Sequence, residues 1–103
     1  MTKAVFTRKN GRLCRCSIKG HAGYAEHGQD IVCAAVSSAV QLTANLLTET
    51  FGQNAQVSAK GDTINIRTDG SDISVKLLEA LSVHLQCISE EFPKQIKLEF
   101  TEV

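Results

Sequence analysis

At Ile31 the chain changes its rhythm. Before it, apolar and polar residues alternate; after it, Val32, Val36, Ala39, Thr43 and Leu47 recur at three- and four-residue steps, with Ala35, Val40 and Leu46 widening the stripe. A period of two half-buries a strand, whereas a period near 3.6 half-buries a helix. A chain carrying both in separate blocks must fold as a mixed α and β architecture.

The remaining blocks follow from the same reading. Residues 3–9 and 12–19 alternate as two strands, and Asn10-Gly11 between them suits a tight type I′ turn, because both residues tolerate positive φ. Residues 20–30 are polar and contain Gly20, Gly23 and Gly28, which excludes a regular element. Asp30 stands where an N-cap belongs, and the first helix stops near Phe51-Gly52. Residues 55–59 and 63–68 form a second strand pair about Lys60-Gly61-Asp62. Gly70-Ser71-Asp72 opens a second helix, with Ile73, Leu77, Leu81, Leu85 and Ile88 on one face, and Pro93 ends it. Residues 95–101 alternate as a last strand. The expected fold class is α+β: a two-layer ββαββαβ domain over residues 1–103, with two helices packed on a largely antiparallel sheet.

Composition narrows what such a domain does. With 103 residues, one domain is the expectation, and 43% hydrophobic residues suffice for one modest core. Eleven basic and eleven acidic residues cancel, and no basic stripe stands out along the chain, so no direct nucleic-acid partner is expected. No continuous apolar run approaches the roughly 20 residues that cross a bilayer. Met1-Thr2-Lys3-Ala4 leads directly into a strand without a signal-peptide core. A cytoplasmic protein without membrane contact is expected.

The four cysteines then need roles. Reduced thiols are the rule in the cytoplasm, and neither the cysteines nor the histidines show metal spacing, so neither disulfides nor a metal is expected. Cys14 and Cys16 share a strand face with Ile18, and Cys87 lies between Leu85 and Ile88. All three read as small buried core residues. Cys33 differs. With Asp30 as cap it sits in the first turn of the first helix, about a hundred degrees from the Val32–Val36 stripe, in line with Ser37 and Gln41. Unpaired amides and the helix dipole there favour a thiolate and could hold an oxyanion.

A thiolate enzyme also needs a base. His21 follows the second strand directly and is better anchored than His27 in mid-stretch. His84, beside Leu81 and Leu85, reads as a packing or partly exposed residue. By spacing alone, His21 and Cys33 are equally compatible with a capped helix bearing an incidental surface thiol. Asp30 serves as cap alone, or as cap and orienter of His21. Ser37 either bonds within the site or back to its own helix backbone. The three glycines give either a movable cover over the site or simply a loose connection.

Gly20-His21-Ala22, then Gly28, then Asp30-Ile31-Val32-Cys33-Ala34-Ala35-Val36-Ser37 closely resembles the signature of the ribosomal-processing cysteine proteases called Prp. The resemblance implies a catalytic dyad of His21 and Cys33, with Asp30 and Ser37 as supporting polar positions and Gly20, Gly23 and Gly28 in the cover. It further implies a substrate: the N-terminal extension of a bacterial large-subunit ribosomal protein, number twenty-seven, cut after an aromatic pair and before a small residue. A homodimer and no cofactor are implied as well. Two other classes use the same features: a non-enzymatic ribosome-associated binding module, and a thiol redox sensor with Cys14 or Cys16 as the resolving partner of Cys33.

Overall fold

The computed structural model describes residues 1–20 and 31–103. β1 (Thr2–Lys9) and β2 (Arg12–Lys19) form an antiparallel hairpin whose turn residues, Asn10 and Gly11, have φ of 54° and 76°. Two successive positive φ values are what a type I′ turn requires. β3 (Ala55–Lys60) and β4 (Thr63–Thr68) form the second hairpin, with Gly61 at φ 60°. β5 (Ile96–Glu102) runs parallel to β1, giving a five-stranded sheet in the order β3-β4-β2-β1-β5. Every other pairing is antiparallel.

The register turns alternation into a core. Val57, Ile66, Cys16, Phe6 and Phe100 stand side by side across the five strands, and Ala59, Ile64, Ile18, Ala4 and Leu98 form the next row. The register shifts between Thr7 and Arg8, where Arg8 pairs with Leu13 and Thr7 with Arg15, leaving Cys14 as the extra residue of a β-bulge. Leu13 therefore joins the buried row at 0% exposure, and Cys14, at 9%, points its Sγ at the Thr7 carbonyl 3.6 Å away. The expected Cys14–Cys16–Ile18 face is thus interrupted at its first member. Beyond the bulge Arg8 reaches the helix layer, where Nη1 lies 2.8 Å from Glu79 Oε1.

Two helices cover one face of the sheet. α1 (Ile31–Asn45) runs on into a wider π-helical segment, Leu46–Thr50, closed by the Phe51 N–H donating to the Leu46 carbonyl at 2.9 Å. Gly52, at φ 55°, then reverses the chain. α2 (Asp72–Glu91) is capped by Ser71, whose Oγ accepts from the Ser74 N–H at 3.2 Å. The same Oγ donates to Gln53 Oε1 at 2.7 Å, tying the end of the first helix to the start of the second. The helices therefore run antiparallel over the sheet, and the end of α1 that carries Cys33 lies toward the end of α2.

α2 is rotated relative to the expected stripe. Its buried face is Ser74, Leu78, Leu81, Ser82 and Leu85, whereas Ile73 is 41% exposed and Leu77 half-buried. Packing through Leu78, Leu81 and Leu85 leaves Cys87 on the solvent side, so the expectation that Cys87 is a core residue is wrong. Ala35 likewise faces out instead of widening the stripe of α1. The Ile31–Thr50 stretch also has the length and mean hydropathy, 1.6, of a bilayer-crossing helix, which a search for continuous apolar runs misses. Its buried residues pack into the core over the sheet. Leu85→Ala is expected to lower the unfolding free energy by about 2–5 kcal/mol through transfer and cavity terms. Cys87→Ala, on the solvent side of the same helix, should change it by less than about 0.5 kcal/mol. Urea titration of both variants checks the rotation of α2.

Candidate active site

The sheet fixes the point at which the first catalytic candidate leaves it. Gly20, the last residue before His21, has φ 86°, and its N–H donates to the Asp62 carbonyl at 3.0 Å. A Cβ at this position would lie 2.5 Å from the Met1 carbonyl oxygen. Gly20 is therefore held between the N-terminal backbone and the β3–β4 turn, and only glycine fits both the conformation and the space. This is a third role, beside the hinge and the loose connection expected of it. His21, Gly23, Gly28 and Asp30 lie outside the described residues.

On the helix layer, Cys33 is the third residue of α1 and 8% exposed. Ser37 is half-buried and Gln41 exposed, so the flank opens to solvent along the helix. Among the described residues the buried apolar side chains at the start of α1 are Val32, Cys33 and Val36. The thiol is therefore buried, not the incidental surface thiol of the alternative reading.

The other cysteines occupy different chemistry. Cys16 is 2% exposed among apolar neighbours, and burial pushes its thiol up to about 12 from an ordinary 9.0. A thiol held protonated is a poor nucleophile and a poor resolving partner. Cys14 sits in the bulge and Cys87 on the outer side of α2. Among the described residues, no three His, Cys, Asp or Glu side chains are grouped to hold a metal.

A second concavity was not expected from the sequence. Between α1 and α2 runs an apolar groove of about 450 Å³, with Ala35, Leu42 and Leu46 on one side and Leu77, Ala80 and His84 on the other. His84 is exposed at this groove, so its partly exposed role holds and its packing role does not. The signal was present in Leu42, an apolar residue off the core stripe and 60% exposed.

Known proteins share this arrangement. The family model described as cysteine protease Prp matches residues 1–97. The chain belongs to the Prp family of cysteine proteases. The ribosomal processing cysteine protease Prp of Staphylococcus aureus (strain Mu50) is 26% identical over 104 residues, spanning 97% of this chain and 98% of the relative. Two crystal structures of an S. aureus Prp superpose closely. One, in complex with a covalently linked product peptide, has a TM-score of 0.87 at 28% identity, covering 97% of this chain and 99% of the other. The second, with a substrate peptide, has a TM-score of 0.88 at 27% identity over the same shares. A Streptococcus mutans protein, SMU.848, matches at 0.88 and 29% identity, covering 100% of this chain and 96% of its own.

Within a Prp chain that needs a cysteine nucleophile, the environments separate the candidates. Cys16 is locked as a thiol, Cys14 closes a bulge, and Cys87 lies away from the core. Cys33 combines burial with a position near the start of α1. The anchoring of Gly20 carries its own test. Gly20→Ala is expected to destabilise the fold by about 2–3 kcal/mol, from a left-handed backbone and a backbone clash. Urea unfolding beside Gly61→Ala, where an added Cβ meets nothing within 4 Å, separates the clash from the conformational part.

Proposed function

We propose that this Prp protease works through Cys33 as nucleophile and His21 as its base. Its substrate is the N-terminal extension of the bacterial large-subunit ribosomal protein numbered twenty-seven, cut after an aromatic pair during ribosome maturation in the cytoplasm. The observation that carries the reading is Cys33 itself: a buried thiol near the start of a helix, in a fold shared with an S. aureus protease that has a covalently linked product peptide.

The chemistry needs two residues and backbone. His21 removes the Cys33 proton, and Sγ bonds to the scissile carbonyl carbon. Amides near the start of α1 stabilise the resulting oxyanion. Collapse breaks the C–N bond, and the imidazolium returns its proton to the departing amine. Water, deprotonated by His21, then opens the thioester to release the acid and restore the thiol. Asp30 supports the helix start and Ser37 lines the same flank of α1. Gly20 serves as a fixed point of the backbone immediately before His21.

A peptide with Phe-Phe before a small residue tests the reading directly. Wild type is expected to cut after the aromatic pair, with Cys33→Ala, Cys33→Ser and His21→Ala each reducing kcat/KM by at least about 10³-fold. Full activity in either Cys33 variant would remove the nucleophile assignment, and an intact peptide with wild type would remove the substrate.

We further propose that the α1–α2 groove seats a second copy of the chain. Support comes from its apolar lining and from Leu42 and Val83, which are 60% and 57% exposed. Two antiparallel helices present a surface that a two-fold axis can pair with itself. Leu42→Asp is expected to convert a dimer to a monomer in sedimentation experiments, while Val57→Asp on the edge strand leaves it unchanged.

A further inference from the structure

The face of the sheet opposite the helices carries a charge pattern that the neutral sequence conceals. Of the eleven Lys and Arg residues, six project from this face in the rows on the Gly20 side of the Cys14 bulge: Lys3, Arg15, Lys19, Lys60, Arg67 and Lys97. Of the eleven Asp and Glu residues, Glu99 alone among the described strand positions does so, with Oε2 2.9 Å from Lys3 Nζ. The six cations are all exposed. No stripe is visible along the chain because the residues come from five different strands.

The register makes the pattern costly. Lys3 pairs directly with Lys19 on one side and with Lys97 on the other, and Arg15 pairs with Arg67. Like charges directly opposite one another destabilise a sheet. Three such pairs on one face therefore oppose folding, unless a polyanion neutralises them.

The geometry identifies what kind. Lys60, Lys19, Lys3 and Lys97 form a row across the full sheet, about 19 Å wide at the usual strand spacing. The Arg15–Arg67 pair lies four residues further along its strands, about 13 Å away. The intervening positions are mostly hydroxyl and amide side chains, which donate to phosphate and ribose oxygens. Among the described positions of this face Val5 is the only apolar residue, and none of those positions carries an aromatic ring. A membrane surface favours apolar anchors beside the charge, and base-reading sheets use exposed rings. We propose that this open sheet face docks the phosphate backbone of RNA, without sequence preference. RNA as the polyanion rests on the proposed role in ribosomal-protein processing, since such a substrate is met beside RNA. Cys33 and the groove lie on the helix side, so docked RNA leaves both accessible.

The test is a fluorescence-anisotropy titration of a labelled 20-nucleotide RNA, with wild type and a variant carrying Arg15→Gln, Lys19→Gln, Arg67→Gln and Lys97→Gln. Wild-type affinity is expected to fall with salt at a log–log slope of about −3 to −4, for five or so neutralised phosphates. The variant is expected to bind at least 30-fold more weakly, to lose most of that slope, and to melt no lower than wild type because the like-charge pairs are gone. Lys76→Gln, on α2, should bind as wild type does. Wild type that fails to bind RNA, or a variant that binds as tightly, overturns the proposal. So does tighter binding to phosphatidylserine vesicles or polyglutamate than to RNA. Peptide cleavage by the variant is expected at the wild-type rate, so loss of RNA binding and failure of the protease reading are separate results.

Discussion

The pairing register of β1 with β2 is the constraint on which everything else rests. Ala4 opposite Ile18 and Phe6 opposite Cys16 place four apolar side chains on one face, and β4 and β5 extend those rows outward. A slip of one residue would turn the core rows to solvent and the lysines inward. Two local devices hold the register. The Asn10-Gly11 turn sets it at one end, and the bulge at Cys14 absorbs one residue so that Leu13 still reaches the core. The bulge also re-aims Arg8 toward Glu79, linking the hairpin to α2.

That frame explains why the same side chain does four different things in one small protein. Cys16 lies in a central row, loses water and is held as a thiol. Cys14 is the bulge residue, and Cys87 is left outside by the rotation of α2. Cys33 rides on α1 next to Val32 and is buried near the start of that helix. The environments follow from where the packing layers lie, since the residue type is common to all four. Gly20 makes the related point for the backbone: the strand end is gripped on two sides, by Met1 and Asp62.

The sheet also sorts charge. Its helix-side face is apolar, and its open face collects six of the cations, so a chain of formal net charge zero is strongly polarised in space. On the opposite side, the helices leave an apolar groove between them. Three surfaces with separate physics, the helix start that carries Cys33, an apolar groove and a cationic sheet, therefore share one two-layer scaffold without competing for the same residues.

Local interactions were legible in the sequence. Strand alternation, the I′ turn, the opening of α2 at Gly70-Ser71-Asp72 and the element order ββαββαβ depend on residues within a turn or two of each other, and the structure has each of them. The family signature was legible for the same reason, because the Cys33 helix start and its preceding histidine are close in the chain. What needed the tertiary structure was decided by partners distant in sequence. The rotation of α2, which exposes Ile73 and Cys87, depends on which side meets the sheet. The role of Gly20 depends on Met1 and Asp62. The cationic face depends on strands separated by up to some 90 residues being brought into register. Periodicity fixes that a helix or strand has two sides; only packing decides which side faces what.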